Sequence, residues 1–176
     1  MVVLRVLTLI SLLSLTVKAQ ETFPQLPLVA PASCPVTTPP TKPFIPPSPS
    51  PTEISDNSFW LGTEKLWIGL RKENVWGWGP RTPGHENDLT SKTFWMSKDF
   101  HYDKEYPPGL TVTGRRLDGP APPLRTMRTT NAFPGPTAAM LSGVIVPVPG
   151  CWEITGDYKG ERLSFVVWVT QLVNRH

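Results

Sequence analysis

The stretch Gly150–Val169, GCWEITGDYKGERLSFVVWV, decides the fold. It reads as a β-hairpin: an alternating strand from Trp152 to Tyr158, a turn at Lys159-Gly160-Glu161, and a second strand from Leu163 to Val169. The second strand is apolar on both faces. Side chains alternate across a strand, so Phe165, Val167 and Val169 are expected to face an inter-sheet core, with Val166 and Trp168 partly covered by a loop. A strand covered on both sides belongs in a sandwich. Cys151 stands at the start of the hairpin.

Working outward, Ala139–Val146 (AMLSGVIV) is apolar on both faces, and Pro147–Gly150 turns the chain into the hairpin. Leu110–Arg116 (LTVTGRR) sets Leu110, Val112 and Gly114 against Thr111, Thr113 and Arg115. In Glu64–Leu70 (EKLWIGL), Leu66, Ile68 and Leu70 share one face; Lys65, Trp67 and Gly69 share the other. Val75–Trp78 and Lys92–Met96 read as further short strands, separated by polar loops at Pro80–Asp88 and Asp99–Pro108. Arg125–Pro136 looks irregular. No stretch of a dozen residues carries a capped 3.6-residue apolar period. About seven short strands between turn signals predict an all-β, immunoglobulin-like β-sandwich over residues 53–176.

Two segments precede it. Residues 1–19, MVVLRVLTLISLLSLTVKA, have the form of a signal peptide: Arg5, an apolar run from Val6 to Val17, and a Val17-Lys18-Ala19 cleavage site. The run is too short for a membrane span, which needs about 20 apolar residues, so none is expected after cleavage. Cys34 lies too far downstream for a lipoprotein anchor. Residues 20–52 hold eleven of the chain's 22 prolines. Closely spaced prolines favour extended polyproline II, which suits a spacer, yet Cys34 requires at least Ser33–Thr37 to dock on the domain, as an edge segment.

Cys34 and Cys151 are the only cysteines, and in an exported chain they are most simply one disulfide. Loss of Arg5 and Lys18 with the signal leaves 15 basic against 14 acidic residues. That balance speaks against a nucleic-acid partner, which calls for a basic patch. A monomer is expected.

The candidate chemistry is sparse. Trp76 and Trp78 share one strand face beside Gly77 and Gly79, and could stack on sugar rings or Pro-rich peptides. Arg115 and Arg116 could clamp an anion, although Asp118 offers a local partner. His85, His101 and the loop carboxylates Glu86, Asp88, Asp99 and Asp103 could form a metal or acid–base site, but in no recognised ligand spacing. No Gly-x-Ser-x-Gly elbow, catalytic triad or phosphate loop stands out, so no catalytic residue, cofactor or metal is assigned.

The blocks SCPVT around Cys34, LTVTGRRLDGPAPPLR at Leu110–Arg125, and PGCWEITG with LSFVVWV within Pro149–Val169 resemble a family of small secreted bacterial proteins. The resemblance implies a bacterial exported protein and fits the cysteine pair. It carries no activity and no functional residues. The final hairpin is also similar to the ends of many immunoglobulin-like domains. The expectation is an exported, non-enzymatic binding or accessory domain, secreted or periplasmic, partnered by cell-wall polysaccharide or another envelope protein. The alternatives are an envelope hydrolase or metal-binding protein using His85 and His101, and a structural protein with no small ligand.

Overall fold

The computed structural model describes residues 26–50, 54–78 and 89–171, the side chains of Trp78, Leu89 and Gln171 excepted. The expected signal peptide and the loop carrying His85 lie outside the described residues. The hairpin consists of β9 (Gly150–Tyr158) and β10 (Glu161–Gln171) in antiparallel register, with Glu161 already opposite Tyr158. Its turn is therefore two residues, Lys159 and Gly160, not the expected three. Both have positive φ, 52° and 83°. A type I′ turn demands this because its backbone twist matches that of the flanking strands.

β5 (Thr111–Arg116) pairs antiparallel with β9, and β3 (Val75–Trp78) pairs parallel with β10, giving a sheet of order β3-β10-β9-β5. The second sheet runs β1 (Ser58–Thr63), β2 (Leu66–Arg71), β4 (Leu89–Met96), β8 (Ala139–Val146), with β6 (Arg125–Thr126) and β7 (Thr130–Ala132) both on the outer edge of β8. The all-β sandwich holds. The count differs: ten strands stand among the described residues where about seven were expected. β6 and β7 are two and three residues long, too short to show a period, and they lie in the stretch read as irregular. β1 carries too weak a period to stand out in sequence, since only Phe59 and Leu61 alternate inward there.

The core between the sheets holds Ile68, Trp95, Met140, Val144, Trp152, Ile154, Phe165, Val167 and Val169, each at most 1% exposed. Each large apolar side chain buried this way contributes about 1.5–3 kcal/mol. Trp95 sits at the centre. Its ring lies so close to β9 that a Cβ at Gly156 would come within 2.5 Å of it. Its indole Nε1 donates to Thr93 Oγ1 (3.0 Å), whose hydroxyl donates to the Ser142 carbonyl (2.9 Å), so both polar groups are satisfied inside the core.

The Pro-rich segment is part of this fold. Cys34 and Cys151 form a disulfide, with 5.6 Å between their Cα atoms. Both pack with Trp168 on the outer face of the hairpin. Trp168 Nε1 donates to the Pro27 carbonyl (2.8 Å), and Thr170 Oγ1 donates to the Leu26 carbonyl (3.0 Å). On the free edge of β10, Thr37 N donates to Val166 O (3.0 Å) and Val166 N donates to Thr37 Oγ1 (2.8 Å). Buried Asn74 donates its Nδ2 to the same Val166 carbonyl (2.8 Å). The loop expected over Val166 and Trp168 is thus the Pro-rich segment itself. The segment also reaches the opposite sheet, where the Phe44 ring lies 6.2 Å from Trp67 and Pro46 is buried.

Candidate functional site

The residues singled out from sequence scatter into separate roles. Arg115 on β5 forms a two-pronged ion pair with Glu153 directly opposite on β9 (3.0 and 3.1 Å). Arg116 donates its Nε to Asp118 (2.6 Å) and its Nη1 to the Pro120 carbonyl (3.3 Å). That pair rests against Gly150 (φ 142°), where a Cβ would come within 2.6 Å of the guanidinium. Both arginines tie down the end of β5. Trp76 is half-buried, packed on the core with its ring edge-on to Phe165 at 6.1 Å. The side chain of Trp78 lies outside the described residues.

His101 is exposed, and its carbonyl accepts from the amides of Lys104 and Glu105. No group of three His, Cys, Asp or Glu side chains that could hold a metal ion occurs among the described residues. Glu105, in the same loop, pins it to the hairpin. Its carboxylate accepts from Tyr158 Oη (2.8 and 2.9 Å) and Lys159 Nζ (2.8 Å), and Asn131 Nδ2 donates to the Tyr102 and Glu105 carbonyls (2.7 Å each). Burial pushes the Glu105 carboxyl up, but the hydrogen bonds from Lys159 and Tyr158 outweigh it and hold it below 4.5. Burial, with the Glu105 carboxylate adding to it, pushes the Tyr158 phenol up to about 12. The acidic loop is a clasp.

A different surface gathers apolar groups at an opening to solvent. On the outer face of the β1-β2-β4-β8 sheet, Trp67, Met96 and Ala139 are buried beneath Phe44, Trp60 and Phe94. Beside the Pro-rich segment this face is indented by a groove of about 290 Å³, walled by Trp60, Phe94, Met96, Phe133 and Ile54. Gly69 forms its base: a Cβ there would lie 2.7 Å from Ile54 Cδ1 and 3.2 Å from the Trp60 ring. Among the described residues no charged side chain lines it. The Phe133 ring packs on Phe94 at 5.0 Å yet is 52% exposed, and its backbone is left-handed, φ 55°. A bulky residue in that region costs on the order of 1–3 kcal/mol, and such outliers cluster at ligand clamps.

No protein-family model matches this chain, and no curated protein matches it. Geometry and chemistry therefore carry the functional argument. The groove was not among the sites expected from sequence, which lay on the β3 tryptophans, Arg115 and Arg116, and the loop histidines. The signal was present in EKLWIGL and KTFWM, where Trp67, Gly69, Phe94 and Met96 occupy the face a one-sided strand would fill with polar residues.

Proposed function

We propose that the protein is an exported, non-enzymatic binding module of the bacterial envelope or its exterior, and that its ligand site is the Trp60–Phe94–Phe133 groove. The single observation that carries this reading is an open, uncharged aromatic groove whose most exposed wall, Phe133, is held in a strained backbone conformation. The disulfide agrees with export, since such bonds persist in oxidising compartments.

The occupant is an extended Pro-rich segment of another envelope protein. The chain's own Pro-rich segment already packs Phe44 on the same aromatic cluster, and the groove shares Trp60, Phe94, Met96 and Ala139 with that cluster. Aromatic grooves accept polyproline II segments because such segments are extended beforehand and lose little entropy on docking. Pocket walls of this kind need no catalytic group.

The test is titration of the signal-free chain with a synthetic peptide copying Thr41–Pro49, TKPFIPPSP, followed by calorimetry. Saturable binding is expected. It should be abolished by Phe133→Gly, which removes the ring and suits the backbone, and weakened at least tenfold by Trp60→Ala. Trp76→Ala should leave it unchanged. Absence of binding, or equal binding in Phe133→Gly, overturns the reading. Peptide-induced dimerisation through exchange of Pro-rich segments, seen by ultracentrifugation, would also overturn it.

A further inference from the structure

A second opening, with different chemistry, lies where the β1-β2-β4-β8 sheet splits. β2 and β4 pair only at Trp67↔Met96 and Ile68↔Trp95. Beyond that β2 runs on to Arg71 while β4 stays with β8 as far as Leu89, and the two strands part. The result is a cleft of about 490 Å³, closed from the other sheet by Val75, Trp76 and Gly77 of β3.

Its lining is electrically one-sided. Arg71 on one bank and Lys92 on the other are both exposed, and neither makes an ion pair with another described residue. Alternation from Trp67 and Gly69, and from Met96 and Phe94, puts both cations on the same outer side of the sheet. No described lining residue is acidic. By contrast, Arg115 pairs with Glu153, Arg116 with Asp118, Lys159 with Glu105, and Lys65 with Glu161 at 2.7 Å. Trp76 adds a half-buried ring and Ser91 a hydroxyl; the Asn74 amide is already spent on Val166 and Thr37.

We infer that this cleft is an anion-binding site for an acidic saccharide, with a sugar carboxylate between Arg71 and Lys92 and the apolar face of a ring on Trp76. A cation pair without a counter-charge among the described lining residues favours a carboxylate through charge-assisted hydrogen bonds, and a π-face meets the CH side of a sugar ring. A neutral ligand would leave both cations unmatched. The site shares no role with the Phe133 groove and stands or falls separately.

The probes are an oligogalacturonate and a neutral cello-oligosaccharide of equal length, titrated into the signal-free chain by calorimetry. The acidic oligomer should bind, more weakly as salt is raised, and the neutral one should not. The double variant Arg71→Gln/Lys92→Gln, whose side chains are exposed and whose fold is checked by circular dichroism, should lose at least about tenfold in affinity. Phe133→Gly should bind the acidic oligomer as the parent does. No binding of the acidic oligomer, equal binding of the neutral one, or an unaffected double variant overturns the inference.

Discussion

Trp168 and Trp67 stand on the outer faces of opposite sheets, and one Pro-rich segment lies over both. They fare differently. Trp168 is 3% exposed, packs on the disulfide, and donates its indole N–H to Pro27 O at 2.8 Å. Trp67 is 2% exposed, yet its Nε1 is buried without a hydrogen-bond partner. An unmet buried donor costs about 1–3 kcal/mol. The cover over the hairpin is therefore covalent and polar-satisfied, whereas among the described residues the cover over the other sheet rests on apolar contacts such as Phe44 on Trp67 and leaves a groove beside it. The segment seals one face and only partly covers the other, where the proposed groove lies.

The comparison is broken most severely by removing the covalent anchor. Cys34→Ser/Cys151→Ser should cost about 2–5 kcal/mol in denaturant unfolding, because a loop of roughly 100 residues is released in the unfolded state. Amides of Val36 and Thr37 should then exchange faster than those of β4. The two tryptophans give the next effect. Trp168→Phe should lose about 1–2 kcal/mol, leaving the Pro27 carbonyl without its donor; Trp67→Phe should be neutral or slightly stabilising, since it deletes an orphaned N–H. Equal losses in the two variants would erase the distinction. Phe133→Gly should keep or raise stability by up to about 1 kcal/mol by relieving the left-handed backbone, while abolishing peptide binding.

The smallest effect is at the Glu105 clasp, which belongs to neither outer face. The folded-state carboxyl sits below its ordinary value, so its stabilisation is present above about pH 4.5 and is lost as pH falls through the lower folded value. Glu105→Gln should flatten the acid limb of a stability–pH profile. On the alkaline side, Tyr158, raised to about 12, contributes stability below pH 10 that fades between pH 10 and 12, and Tyr158→Phe should remove that dependence.

The hairpin, the cysteine pair and the sandwich were legible because period-two patterning, a Lys-Gly turn and two cysteines are local signals. The inward set Phe165, Val167 and Val169 was read correctly for the same reason. β6 and β7 were illegible because their two or three residues owe their pairing to β8, a partner that no local pattern reveals. The split between β2 and β4 was hidden likewise: nothing in LWIGLR or LTSKTFWM says that their register ends at Ile68↔Trp95. Trp76 was read as either a core or a binding-surface aromatic, and its half-buried ring stands edge-on to Phe165. Trp67 and Phe94, apolar residues on outward faces, marked the groove all along, but only the sheet order brings β1, β2, β4 and β8 side by side.

The most direct measurement of the central claim is a two-dimensional ¹⁵N spectrum of the tryptophan indole N–H groups during titration with the TKPFIPPSP peptide. Saturable shifts are expected for Trp60, with a smaller change at Trp67, while the resonances of Trp168 and Trp152 stay fixed. A still Trp60, or a shift centred on Trp168, would contradict it.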